Sequence, residues 1–130
     1  MILLDTHIVV WLISSPKLLS KKAATAIAEA RQNDGGVAVS CITLYELACA
    51  ASKGRLTLAM SIDALLEEVA AHFAIKPITS GVALAAVRMP ANYPKDPMDR
   101  IIGATALSEG LTLVTADRAI RDSKAVPVIW

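Results

Sequence analysis

The chain has 130 residues, enough to bury a core without disulfide or metal staples and too few to suggest a second domain. Apolar residues make up 55% but aromatics only 4%, so Ala, Val, Ile and Leu supply the interior, which favours short buried strands and tightly packed helices. With 13 basic and 12 acidic residues the net charge is +1, which excludes a protein-wide basic field for nucleic acid; any polyanion site is local.

Ile2–Leu4 reads as a strand that passes at once into a helix, "DTHIVVWLI", stopped by Pro16. Ser20 caps a second helix, in which Ala24, Ile27, Ala28 and Arg31 recur at helical spacing until "NDGG" breaks it. "VAVS" is a strand, and Ser40 caps "CITLYELACAASK", which Gly54 ends. Ile62, Leu65, Leu66, Val69 and Phe73 mark an amphipathic helix, and "AIKPI" after it is a strand kept short by Pro77. "TSGVALAAVR" is helical, Met89–Pro94 is a loop, and Asp96 with Pro97 starts a helix closed near Gly110. "LTLVT" and "VPVIW" are the last strands, with a short helix around Ala119 between them. Five short apolar strands alternating with helices predict an α/β fold, a three-layer α/β/α sandwich around a short, mostly parallel five-stranded sheet. Residues 1–130 read as a single domain, without repeats or linkers.

The N-terminal run "MILLDTHIVVWLI" lacks a basic start and a small-residue cleavage site and contains Asp5 and His7, so it reads as strand and helix rather than a signal peptide. No stretch approaches the roughly 20 apolar residues of a membrane span. Cys41 and Cys49 lie about 12 Å apart along one helix and cannot bridge. They read as buried reduced thiols, as expected in the cytoplasm.

Chemistry in parallel sheets collects beyond the carboxyl ends of the strands, and four acids fall there. Asp5 directly follows the first strand, Asp117 closes "LTLVTAD", Glu46 lies less than two turns into the helix after Ser40, and Asp99 lies in the first turn of its own helix. Glu46 sits among Ile42, Thr43, Cys49 and Ala50, where a carboxylate is costly unless it ligates a metal or pairs, with Lys53 or Arg55 as the available cations. Asp5 also has the form of an N-cap. In "KDPMDRIIGATAL", Asp96 and Pro97 look like a cap followed by proline at the first helical position; Asp99 shares a face with Ile102 and Ala106, the side expected to pack on the sheet. Asp96 therefore reads as the cap and Asp99 as an inward carboxylate.

At about 4 Å each like-charge pair costs on the order of 4 kcal/mol at an effective dielectric of 20, so such a cluster needs a cation or takes up protons. Carboxylates without Cys or paired His suit Mg²⁺ or Mn²⁺ rather than Zn²⁺. Such an ion can lower the pKa of a water and neutralise a phosphate oxygen, which is the chemistry of phosphodiester hydrolysis.

"MILLDTH", "VSCITLYELA", "DPMDRIIGATALSEGLTLVTAD" and the final "VPVIW" resemble, in order and spacing, the PIN-domain ribonucleases and among them the VapC-type toxins of toxin–antitoxin modules. The resemblance implies that Asp5, Glu46, Asp99 and Asp117 bind the metal and activate water, that Thr115 supports the site, and that the partners are an RNA substrate, a second copy in a homodimer and a small VapB-like antitoxin. Thr6, beside Asp5, and Thr43, one turn before Glu46, are candidate supporting donors. His7 stands where this family often carries Asn and reads as a helix-start or supporting residue; His72 reads as helix surface.

Arg100 and Arg118 each follow a candidate ligand, and with Lys95 they are the candidate substrate contacts; each alone reads more readily as solvated surface, and Arg100 is the first choice for a substrate or structural contact. Lys53 and Arg55 are placed on neighbouring loops. Trp11, Tyr45 and Tyr93 are scattered, so no base-stacking array is legible. A receiver domain or haloacid-type phosphatase would need acid patterns after the first strand that "DTH" lacks. A catalytically inert PIN-like binding module and another metal-dependent phosphoester hydrolase remain as alternatives.

Overall fold

Side-chain alternation along three short strands sorts the interior into two halves. In the computed structural model, which describes residues 1–130, the strands are β1 (Ile2–Leu4), β2 (Val37–Ser40), β3 (Ala74–Lys76), β4 (Thr112–Val114) and β5 (Val128–Ile129). They form one sheet in the order β3-β2-β1-β4-β5, and every pairing is parallel. Leu3, Ala38 and Leu113 point to one face, Leu4, Val37, Val39 and Val114 to the other. Each of the four leucine and valine side chains of β1 and β4 named here is fully buried, which stabilises the fold by about 1.5–3 kcal/mol apiece.

The second face is covered by α1 (Thr6–Ser14), α2 (Lys21–Gln32), α3 (Cys41–Ser52) and α4 (Ile62–His72), through Ile8, Ile27, Leu47 and Leu65. The first face is covered by α5 (Ser80–Val87), α6 (Pro97–Glu109) and α7 (Arg118–Ser123), through Val82, Ile102 and Ile120. This is the expected α/β/α sandwich, with a sheet wholly rather than mostly parallel. Pro16 ends α1 in a single 3₁₀ turn, Pro16–Leu18, and Pro77, without an N–H to donate, keeps β3 to three residues. No helix is long and apolar enough to cross a membrane.

The helix starts carry the expected side-chain caps. Ser20, Ser40 and Ser61 accept from backbone N–H groups of α2, α3 and α4. Gly110 ends α6 in the left-handed region, φ 65°, where a side chain would be strained. The thiols differ from expectation: Cys41 and Cys49 are free but only half-buried, because α3 turns Cys49 toward a surface cavity rather than the core.

Candidate active site

The chain leaves β1 toward β2 on one side and β4 lies on the other, so the carboxyl ends of β1 and β4 flank the point where strand order reverses. An α/β sheet opens a crevice there because successive crossovers run to opposite sides. Asp5 is the first residue in that crevice and is 4% exposed, although its backbone N–H still donates to Val114 O at 3.0 Å. Such burial demands donors. Its Oδ1 accepts from the Thr6 N–H at 2.8 Å, and its Oδ2 accepts from the Thr115 hydroxyl at 2.8 Å. Asp5 is thus both the cap of α1 and a member of the site.

Thr115 does a second job. Its oxygen accepts the Asp117 N–H at 3.1 Å, tying the turn after β4 to Asp5. Asp117 caps α7, with Oδ1 accepting from Ile120 N–H at 3.0 Å. His7 closes the same seam from α1: its Nε2 accepts the Ala116 N–H at 3.0 Å, which places the ring proton on Nδ1, 3.6 Å from Asp5 Oδ2. The imidazole packs edge-on against Trp11, centroids 5.0 Å apart, and Trp11 packs against Trp130.

Glu46 arrives from α3. The Thr6 hydroxyl donates to its Oε1 at 2.6 Å, and since that proton is committed, the Thr43 hydroxyl, 3.0 Å from Thr6 Oγ1, is the donor to Thr6. Burial pushes the Glu46 carboxyl above its usual range, the Thr6 hydrogen bond opposes this, and Asp5 and Asp96 push it further up. Neither Lys53 nor Arg55 pairs with it.

Asp99 arrives from α6. Asp96 caps this helix as expected, accepting from Met98 N–H at 2.8 Å and Asp99 N–H at 3.3 Å, with Pro97 at the first position. The Tyr93 hydroxyl donates to the Asp99 carbonyl at 2.9 Å, and burial and the nearby acids keep that phenol protonated. Gly103 makes room for it: a Cβ there would run into the Tyr93 hydroxyl and stand 2.8 Å from Met89 Cε. The Asp99 carboxyl is pushed up to about 7 by burial first, then by Asp5, Asp96, Asp117 and Glu46.

Asp5, Glu46, Asp96 and Asp99 line one open cavity of about 590 Å³, with Thr6, His7, Tyr45, Lys53 and Arg55 also in its wall. Asp117 is not in this wall; it is close enough to act on Asp99 but engaged as a cap. No three His, Cys, Asp or Glu side chains stand so as to hold a metal ion together. Uncompensated like charges spread apart in this way, and the donor set, oxygen only, is of the kind hard cations take.

The basic residues fall elsewhere than their sequence neighbours suggested. Arg100 Nη1 and Nη2 donate to the carbonyls of Met89 and Tyr93, each at 3.4 Å, so the guanidinium clamps the 89–94 loop instead of facing the cavity. Lys95 lines a separate groove with Arg100, and Arg118 is exposed on α7, outside the cavity wall. Lys53 and Arg55 are the cations in the wall. Their signal was available: Glu46, Cys49, Ala50 and Lys53 follow the i, i+3, i+4, i+7 spacing of one helix face.

Residues 2–125 match the family model described as PIN domain. The chain belongs to the PIN-domain family. Its PIN domain is 39% identical over 123 residues to Ribonuclease VapC22 of Mycobacterium tuberculosis, covering 95% of this chain and 92% of the relative, and it is of the VapC type. Its fold is that of VapBC2 from Rickettsia felis, solved with a promoter DNA fragment (TM-score 0.75, 19% identity, 98% and 97% coverage). A toxin–antitoxin complex from Klebsiella pneumoniae is similarly close (TM-score 0.72, 24% identity, 100% and 97% coverage).

Proposed function

We propose that the chain is a single-domain, Mg²⁺-dependent endoribonuclease toxin, with Mn²⁺ as a substitute ion, neutralised by a small cognate antitoxin. The observation that carries the catalytic part is that Asp5, Glu46 and Asp99, from three separate segments, line one cavity, with Asp117 close enough to act on Asp99 and no lysine or arginine paired to any of the four. Asp5, Glu46, Asp99 and the free Oδ2 of Asp117 would hold the ion, with Thr6, Thr43 and Thr115 orienting the first two. When bound, the cation supplies charge neutralisation at a phosphate oxygen and an acidified water for in-line attack.

The chain's own groups do the rest. Thr115 and the Thr6 N–H hold the Asp5 carboxylate in the cavity wall, and the Thr6 hydroxyl holds Glu46 there. Asp99 must shed its proton before it can ligate, so cation and proton compete at that oxygen. The likeness to toxin–antitoxin complexes supports the antitoxin, and the exposed Ile78, Leu84 and Val87 around α5 support self-association into a homodimer.

The test is cleavage of single-stranded RNA by pure protein with Mg²⁺, with EDTA, and with Asp5→Asn and Asp99→Asn. Mg²⁺-dependent cleavage lost in both variants is expected. Cleavage indifferent to both substitutions would overturn the site, and an RNA-inert chain that binds no metal would favour the binding module.

A further inference from the structure

The cavity is electrostatically two-ended, and only its acidic end is used by the chemistry above. Asp5, Glu46 and Asp99 occupy one end; Lys53 and Arg55, where α3 runs out, occupy the other. Neither cation has an acidic partner in the protein. Glu46 and Lys53 are two helical turns apart on one face, about 10 Å along the axis. Tyr45, one residue before Glu46 on the same helix, is also in the wall, and it is 57% exposed.

An exposed aromatic ring beside the acidic cluster, with two unpartnered cations about two turns further along, where the same helix runs out, fits one class of ligand, a single strand of nucleic acid, which offers both phosphates and open base faces. We propose that α3 is the track for the RNA strand next to the cut bond: Tyr45 stacks on an adjacent base, and Lys53 and Arg55 take the phosphates beyond it. This rests on the ribonuclease reading and adds the direction in which the strand leaves the site. Duplex RNA does not fit, because its bases are stacked on each other and its grooves present no free face to the ring.

The experiment is fluorescence anisotropy of a labelled single-stranded RNA on the Asp5→Asn protein, paired with cleavage assays on the otherwise wild-type chain. Tyr45→Ala is expected to weaken binding about tenfold or more, Tyr45→Leu equally, and Tyr45→Phe to restore it because the ring is kept. Lys53→Gln with Arg55→Gln is expected to reduce the slope of log affinity against log salt by about 1.4, the contribution of two single-strand phosphates. Melting temperatures should stay put, since all three side chains are at the surface. Equal affinity in Tyr45→Ala and Tyr45→Phe, with an unchanged salt slope, would overturn the track while leaving the ribonuclease reading intact. Loss of antitoxin binding in Tyr45→Ala with RNA affinity unchanged would assign this face to the protein partner instead. Failure of the wild-type chain to bind or cleave RNA would bring down the underlying reading itself.

Discussion

The two sides of the acidic crevice are built on opposite principles. On the β1–β4 side, Asp5 is held by a backbone N–H and the Thr115 hydroxyl, Thr115 also holds Asp117, and His7 pins Ala116. On the α3–α6 side, Glu46 has a single hydroxyl donor and the Asp99 carboxylate has none, and both carboxyls are pushed upward by burial and by the other acids. The wired side fixes where a cation would sit. The strained side makes one welcome, because a divalent charge removes the repulsion that raised those carboxyls.

Substituting the acids should separate the two sides most strongly. Asp99→Asn and Asp5→Asn are each expected to lower RNA cleavage about a thousandfold, roughly 4 kcal/mol of barrier. Their stabilities should diverge: Asp5→Asn disturbs a satisfied buried network and lowers the melting temperature of the metal-free protein, whereas Asp99→Asn relieves repulsion and raises it. Matching shifts of one sign in thermal denaturation would erase the distinction.

On the wired side, Thr115→Val removes one donor from buried Asp5 and the acceptor of Asp117 N–H, a loss of about 2 kcal/mol in urea denaturation. A cost near zero would mean that the seam is not held as described. The strained side predicts a pH dependence. Asp99 carries about 7 in the folded protein against an ordinary 3.8, so its contribution is intact below about pH 4 and is lost as pH rises toward and through 7. Because the group is only half-buried, about 1–2 kcal/mol is expected, read as the difference between wild type and Asp99→Asn at pH 5 and pH 8. His7→Ala should cost about 1 kcal/mol, and His7→Gln, whose amide oxygen can accept the Ala116 N–H, less.

Much of this was legible in the sequence, because capping and strand-end chemistry is local. Asp96–Pro97, Ser40 and the residue after each apolar run declare themselves within a few positions, so the acids at the carboxyl rim could be named before the fold was seen. The connectivity among them was not local. Thr6, Thr43 and Thr115 were identifiable as donors beside acids, but the Thr43–Thr6–Glu46 chain and the double use of Thr115 arise only when segments 40 and 110 residues apart meet. Of the two contacts open to Arg100, substrate or structural, only the structural one is seen. Its position after Asp99 left both open, and the carbonyls of the preceding 89–94 loop decide where its guanidinium points. Tyr93, in a loop with no periodicity, gave no hint that it would hold the Asp99 carbonyl through a space left by Gly103.

The most direct measurement is the melting temperature of the wild-type chain and Asp99→Asn at pH 7.5, with and without Mg²⁺. A strained carboxylate waiting for a cation predicts that Asp99→Asn melts higher than wild type without metal, and that Mg²⁺ raises wild type far more than the variant. A variant that melts lower without metal, or that gains as much from Mg²⁺ as wild type, would contradict the assignment of Asp99 to a cation site.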